Sequence, residues 1–278
     1  MFVAGMNPKS GSFFVDPRMS RHFTLVGLSV PEKEILNTIY FQILDNHLSM
    51  FDDGCRKYAS KIVNATQSVF VSLANSPQFM PTARKFHYAF NLRDMDNIIQ
   101  GLLNAQPQYY KGNVLGLCRM WAHECHRVWL DRLLFEEDIN MYNNFITTGL
   151  KEFSDFKGED ILAEPLIFTS FVTACKGHEA AYLNIESNDD LNRVLNDKLE
   201  EYNENVAAMD LVLFQQAMEH VTRIARIIDL PCGNALLVGV GGSGKQSLSK
   251  LSAFILGYDV FRIVVSTNYG LNDLKADI

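Results

Sequence analysis

The chain has 278 residues, 47% of them hydrophobic and 21% charged, with a formal net charge of −7. That composition suits a globular protein able to bury a core, and the length suggests about two domains. No basic cluster points to nucleic acid, no apolar run nears the roughly 18 residues of a membrane span, and Met1-Phe2-Val3-Ala4-Gly5-Met6 is too short and lacks the basic start of a secretory signal, so neither nucleic acid nor membrane is an expected partner.

In chain order, Phe2 to Met6 reads as a short apolar strand that runs into Asn7-Pro8. A buried parallel strand needs neighbours on both sides, so this run reads as the end of a larger core. Gly11 to Pro17 is loop, Arg18-Met19-Ser20-Arg21-His22-Phe23 places Arg18 and Arg21 on a turn, and Thr24 to Val30 is a second strand candidate closed by Pro31. Helices follow. Glu32 to Met50 carries Ile35, Ile39 and Ile43 beside Leu36, Tyr40 and Leu44 on one stripe. Further helical runs span Arg56–Leu73, Pro81–Phe90, Asp94–Leu103, Asn113–Phe135 and Glu136–Phe153. Lys157 to Ala181 is broken by Gly158, Pro165 and Gly177, with a short strand candidate at Phe168–Val172. Asp189–Asn203 and Asp210–Ile228 close the helical part. Five cysteines (Cys55, Cys118, Cys125, Cys175, Cys232), odd in number and scattered, suit free thiols in a reducing compartment.

The most informative stretch comes next. The apolar run Ala235-Leu236-Leu237-Val238 leads into Gly239-Val240-Gly241-Gly242-Ser243-Gly244-Lys245-Gln246-Ser247, and a helix-forming run leads out to Leu256. Strand, glycine-rich turn and helix are the context of a phosphate-binding P-loop. Glycines let successive backbone N–H groups turn inward around an anion, the helix adds its positive end, and Lys245 supplies a mobile charge for terminal phosphates. The residue after Lys245 is Gln246 rather than Ser or Thr, so the hydroxyl available to Mg²⁺ is that of Ser247. The bland alternative is an ordinary glycine-rich turn. Val260–Val265 is one more strand candidate, and a P-loop domain needs further βα units beyond it. The chain therefore reads as the end of one α/β core followed by the beginning of another.

Three stretches together resemble the dynein heavy chain, a motor of linked AAA+ modules arranged in a ring. They are Met6-Asn7-Pro8 with Arg18-Met19-Ser20-Arg21-His22-Phe23, then Lys85-Phe86-His87-Tyr88-Ala89-Phe90-Asn91-Leu92-Arg93-Asp94, then Gly233-Asn234-Ala235 through the P-loop to Leu248. The wording is nearest the axonemal, outer-arm type. The resemblance implies an α/β fold with a large α-helical part. Residues 1–30 would end the third AAA+ core, 31–150 form its helical lid, 151–205 connect, and 206–278 begin the fourth module. It implies that Asn7 is a sensor I residue, that Arg21, with Arg18 as runner-up, is an arginine finger acting on a neighbouring module, and that Arg93 is the lid's sensor II. It implies that Gly239 to Ser247 hold ATP or ADP with Mg²⁺, that Ser247 contributes to the metal, and that Leu211-Val212-Leu213 pack on adenine. The Lys-Gln-Ser ending is then a feature of the fourth module. The implied partners are the other AAA+ modules of the same heavy chain and, through the full-length protein, intermediate chains, light chains and microtubules. The implied setting is the cytoplasm and cytoskeleton, in the axoneme of a cilium or flagellum, as part of a minus-end-directed motor.

Other readings stand beside these. Asn7-Pro8 is a common turn starter, Arg18 and Arg21 suit a solvated pair, and Arg93 with Asp94 suits a surface ion pair. His123, Cys125 and His126 sit close together, but no second ligand pair follows at zinc spacing. Trp121, Trp129 and Cys118 read as core. A non-catalytic interaction fragment without stable nucleotide binding is the rival function. A free-standing P-loop kinase is disfavoured, because its remaining strands and an acidic Walker B run are not found after Lys245; Leu133-Leu134-Phe135-Glu136-Glu137 lies upstream in a helical run. Without that acid, no steady ATP turnover is expected of this stretch by itself, and no microtubule binding either.

Overall fold

The amphipathic spacing of the sequence is realised as helices in the computed structural model, which describes residues 1–6, 16–29, 31–263 and 269–277. The longer ones are α1 (Lys33–Leu48), α2 (Tyr58–Asn75), α3 (Leu92–Leu102), α4 (Val114–Val128), α5 (Glu136–Leu150), α6 (Asn188–Asn205), α7 (Gln215–Ile228) and α8 (Lys245–Ile255). Among the described residues one sheet forms, an antiparallel pair of β1 (Phe168–Thr169) and β2 (Leu183–Asn184) in the register Phe168↔Asn184 and Thr169↔Leu183. No described helix is long and apolar enough to cross a membrane. Residues Met1–Leu36 and Asn37–Ile278 form two units.

Several sequence expectations change. The described parts of the apolar runs at 2–6, 24–30, 235–238 and 260–265 are not strands. Leu28, Leu236 and Val238 stay 93%, 89% and 85% exposed. A strand is held by ladder hydrogen bonds to a neighbour, and no described segment pairs with these runs. Val30, Val264 and Val265 lie outside the described residues. In α1 only half the expected stripe is buried: Leu36, Tyr40, Leu44 and Leu48 are inside, while Ile35, Ile39 and Ile43 are exposed. The run expected as a helix over 81–90 is irregular, preceded by a 3₁₀ turn at Pro77–Phe79. Its side chains explain this. Asp138, fully buried on α5, accepts hydrogen bonds from Gln78 Nε2 (2.9 Å), Lys85 Nζ (2.8 Å) and Tyr88 OH (2.9 Å). Phe79 meets Phe90 edge-on at 5.7 Å. A buried carboxylate must be paired, and these long-range pairings outweigh helical propensity.

The first core of the larger unit gathers α2, α3, α4 and α5 around Trp121 and Trp129, both fully buried. Trp121 Nε1 donates to Thr66 Oγ1 at 2.8 Å and its ring meets Phe153 edge-on at 5.0 Å. A second core joins α6, α7 and α8 through residues such as Leu195, Val221, Ile224, Leu248 and Leu251. The short helix Phe171–Cys175 separates β1 from β2, and Tyr182, just before β2, joins the two cores in space. Its hydroxyl donates to Glu124 Oε1 on α4 at 2.6 Å and accepts from Arg226 Nε on α7 at 3.1 Å. Glu124 is fully buried, and Arg127 donates to its Oε2 from Nε (2.8 Å) and Nη2 (2.7 Å). Burial works to raise the Glu124 pKa, but Arg127, then Arg226, hold it below its ordinary value.

Two outcomes follow for stability. A Cβ on Gly101 of α3 would fall 2.0 Å from Glu124 Oε2 and 2.3 Å from Cδ. Alanine ordinarily favours a helix by about 1 kcal/mol over glycine; here Gly101→Ala is expected to destabilise by roughly 1–3 kcal/mol through overpacking. A thermal melt measures this, and a higher Tm in the variant would refute the buried placement of Glu124.

The second outcome concerns acid. Burial pushes the pKa of both His123 and His126 down to about 4, from an ordinary 6.5. The unfolded chain therefore takes up these protons before the folded chain does. Stability falls as pH drops from 6.5 toward 4, by up to about 1.4 kcal/mol per pH unit per proton. Asp131 works oppositely: burial raises it to about 6 despite Arg223, so the folded chain binds that proton first. It offsets one histidine below pH 6. In urea unfolding followed by tryptophan emission, His126→Phe is expected to flatten the acid loss and Asp131→Asn to steepen it. Profiles parallel to wild type in both variants would exclude these groups as the cause.

Candidate functional site

Residues 235–240 belong to no helix or strand, and the glycine-rich loop that follows enters α8 at Gly244. Gly242 and Gly244 both adopt left-handed backbone, at φ 78° and 76°. L side chains resist that conformation, which is why the turn requires glycine there. A Cβ on Gly241, Gly242 or Gly244 would meet nothing within 4 Å, so the loop presents open backbone. Lys245 Nζ folds back over it, donating to Gly239 O (2.7 Å), Val240 O (2.6 Å) and Ser243 Oγ (3.0 Å). One ammonium thus finds all three of its acceptors within a single loop. The first N–H groups of α8 have no partner within the helix by its own geometry. Loop, lysine and helix end make a local cradle of positive character suited to phosphate oxygens.

The hydroxyls of α8 divide in an informative way. Ser249 Oγ and Ser252 Oγ donate back to Lys245 O and Leu248 O, each at 2.8 Å. Ser247 is half-buried at the start of the helix, Gln246 is exposed, and neither side chain has a hydrogen bond among the described residues. Both keep an oxygen free for a hard cation, which prefers oxygen ligands.

Leu211-Val212-Leu213 belongs to no helix or strand, and its burial alternates. Leu213 is buried in the second core and Leu211 packs against that core, along with Leu237, Leu248 and Leu251 around the loop. Val212 points outward, 75% exposed. Val212 is the most exposed of the three, Leu211 is partly buried and Leu213 is inside, so the leucines fasten this segment to the second core.

Asn7 lies outside the described residues. Arg18 and Arg21 are exposed at a short helix, Pro17–Ser20, whose first turn is capped by Asp16 Oδ1 accepting from Arg18 N at 2.8 Å. Arg21 Nε donates to His22 Nε2 at 3.3 Å, and neither guanidinium meets a carboxylate among the described residues. The surface pair of Arg93 with Asp94 does not form. Asp94 is buried, completes a capping box with Asn91, and pairs with Arg132 at 2.8 Å. Arg93 is left exposed at the start of α3 without an ion-pair partner among the described residues, and no hydrogen bond joins it to the P-loop. His123 Nδ1 contacts Leu166 O at 3.0 Å, His126 meets Tyr142 edge-on, and Cys125 is buried with its thiol pushed well up by burial. These are packing roles.

Sequence reasoning did not single out Glu124, Tyr182 or Arg226. The signal available was Glu124's place on the apolar face of α4, three residues after Trp121 and four before Val128, where a charge demands a buried partner.

Family matches reach the first core and the α7–α8 part of the second. Residues 209–278 match the P-loop containing dynein motor region D4, and residues 62–164 match the AAA+ lid domain. The dynein beta chain of the flagellar outer arm of Chlamydomonas reinhardtii is 49% identical over 99% of this chain. Dynein axonemal heavy chain 17 of Homo sapiens is 44% identical, and the ciliary dynein beta chain of Tripneustes gratilla 42% identical, each over 100% of it. The chain spans only 6% of the length of each of these relatives. Their flagellar, ciliary and axonemal names put this sequence among cytoskeletal proteins of the axoneme. With its lid helices running into a P-loop of the D4 type, and similarity to such relatives along its whole length, the chain belongs to the axonemal dynein heavy chains, as a stretch of their AAA+ motor region.

Proposed function

We propose that this stretch supplies the phosphate-binding part of the fourth module's nucleotide site and the lid of the third, in a heavy chain that hydrolyses ATP to move toward microtubule minus ends in cilia or flagella. The observation that carries the reading is the convergence of Lys245 Nζ on Gly239, Val240 and Ser243 over a loop whose Gly242 and Gly244 are left-handed. ATP or ADP would lie with its phosphates along Gly239 to Gly244 and the first turn of α8. Lys245 would exchange its loop acceptors for phosphate oxygens, a charge-assisted and stronger set of bonds. Ser247, with Gln246 beside it, would meet Mg²⁺, which neutralises phosphate charge when bound. Val212 would touch the base.

The remaining roles extend to neighbouring sites. Arg21 or Arg18 would stabilise charge on nucleotide held by the preceding module. Arg93, exposed and unpaired, would reach its own module's nucleotide as the sensor II residue, and Asn7 would serve as sensor I. Domain limits of 1–30, 31–150, 151–205 and 206–278 accompany this reading. The uncovered Leu236, Val238 and Phe261 are surfaces on which further strands of the fourth core would pair. Other modules of the same heavy chain are thus the immediate partners; microtubules and the intermediate and light chains belong to the full-length motor.

Titration of fluorescent ADP tests the site. Weak binding is expected in this chain, and Lys245→Ala should weaken it by roughly ten- to a hundredfold, the equivalent of about 1.5–3 kcal/mol of charge-assisted contacts. Ser247→Ala should remove most of any Mg²⁺ dependence. Equal affinity of wild type and Lys245→Ala would favour the rival reading, a non-catalytic interaction fragment.

A further inference from the structure

The P-loop helix reaches the lid through one buried charge cluster. Helix α7 lies along α8 in the second core, where Ser252 Oγ of α8 stands 3.3 Å from Val221 O of α7. Close-packed helices transmit displacement rather than absorb it, so a shift of α8 carries α7 with it. The lid-facing side of α7 carries Arg226, 8% exposed. Its guanidinium lies 4.9 Å from the centroid of the Tyr182 ring, Nε donates to Tyr182 OH at 3.1 Å, and Nη2 stands 3.6 Å from Glu124 Oε1. The Glu124 carboxylate is therefore divided. Oε2 belongs to Arg127 of its own helix, while Oε1 belongs to Tyr182 and Arg226. Beside this cluster the junction is not fully packed, and apolar side chains (Leu130, Leu166, Ile167, Phe168) line it together with charged ones. A cavity of about 190 Å³ opens there, lined by Arg127, Asp131, Glu219, Arg223 and Arg226 among others, and Arg226 Nη2 makes no hydrogen bond. Across an incompletely packed junction the directional contacts of Arg226, Tyr182 and Glu124 add a connection that in a buried setting is strong and geometry-sensitive.

We propose that Arg226, acting through Tyr182 and Glu124, transmits nucleotide occupancy of the P-loop to the lid helices. The relay rests on the nucleotide-binding reading above. Occupancy repositions the first turn of α8, α7 follows, and the Arg226–Tyr182–Glu124 contact passes the change to α4.

The molecule contains its own reporter. Both tryptophans, Trp121 within α4 and Trp129 at its C-terminal cap, lie on the lid side, so intrinsic emission reports the lid alone. Unlabelled ADP is titrated while emission is recorded, and calorimetry measures binding in parallel. Wild type is expected to change its emission on ADP binding. Tyr182→Phe, which keeps the buried ring and removes only the hydroxyl, and Arg226→Met should bind ADP within about threefold of wild type yet lose at least about half of the emission change, as expected when a coupling element is cut. A purely structural role would alter stability or affinity without separating emission from occupancy. An undiminished emission change in Tyr182→Phe overturns the relay, as does a silent wild type that binds ADP; either leaves the P-loop reading intact. Absence of ADP binding in calorimetry overturns both.

Discussion

A carboxylate that has lost all its water must be paired, and the pairing of Glu124 dictates much of this structure. The desolvation cost of a buried charge is several kcal/mol, recovered only with good geometry and further hydrogen bonds. Arg127 meets part of that demand from one turn along the same helix; the rest comes from Tyr182 and Arg226, 58 and 102 positions later in the chain. The constraint reaches outward. Gly101 on α3 has no side chain where Glu124 lies. Tyr182 is fixed further by Tyr110, whose hydroxyl donates to the Tyr182 carbonyl at 2.8 Å. Removing one member would leave a buried charge short of a partner, so the cluster specifies the orientation of α7 against the lid more than it adds net stability. Asp131 with Arg223, at 3.0 Å, repeats the same lid-to-α7 pairing nearer the solvent.

The P-loop follows different logic. Its glycines, its lysine and its helix lie within a few residues of each other, so its form needs little from the rest of the chain. Lys245 satisfies its ammonium on the loop's own acceptors. The surroundings are less local: Leu213 and Leu237 hold the flanking segments against the α6–α8 core, while Leu236 and Val238 face outward. One site therefore combines a self-contained glycine-and-lysine loop with exposed apolar flanks.

Much of this was legible in the residues alone. The spans of α2, α5, α6 and α8 follow the apolar periodicity closely, and the glycine pattern marked both the loop and the first turn of its helix. The departures share a cause. Residues 81–90 have helix-forming content, yet Lys85 and Tyr88 are drawn to Asp138, some fifty positions away. Asp94 looked like a surface partner for Arg93 but is committed to Asn91 and Arg132. In α1 two neighbouring apolar rows were equivalent on a helical wheel, and only the row of Leu36, Tyr40 and Leu44 is buried.

By itself, then, the sequence determined most of the long helices, the glycine-rich loop and the family. A helix closes its hydrogen bonds four residues apart and a P-loop gathers its N–H groups from consecutive residues, so the information for each is contiguous. Only the tertiary structure decided which apolar runs gain strand partners, which acidic residues are buried, and that Arg226 meets Glu124. Sheet ladders and buried ion pairs join residues far apart in the chain, and their energies depend on desolvation and on a partner's position, neither of which is written at the residue itself.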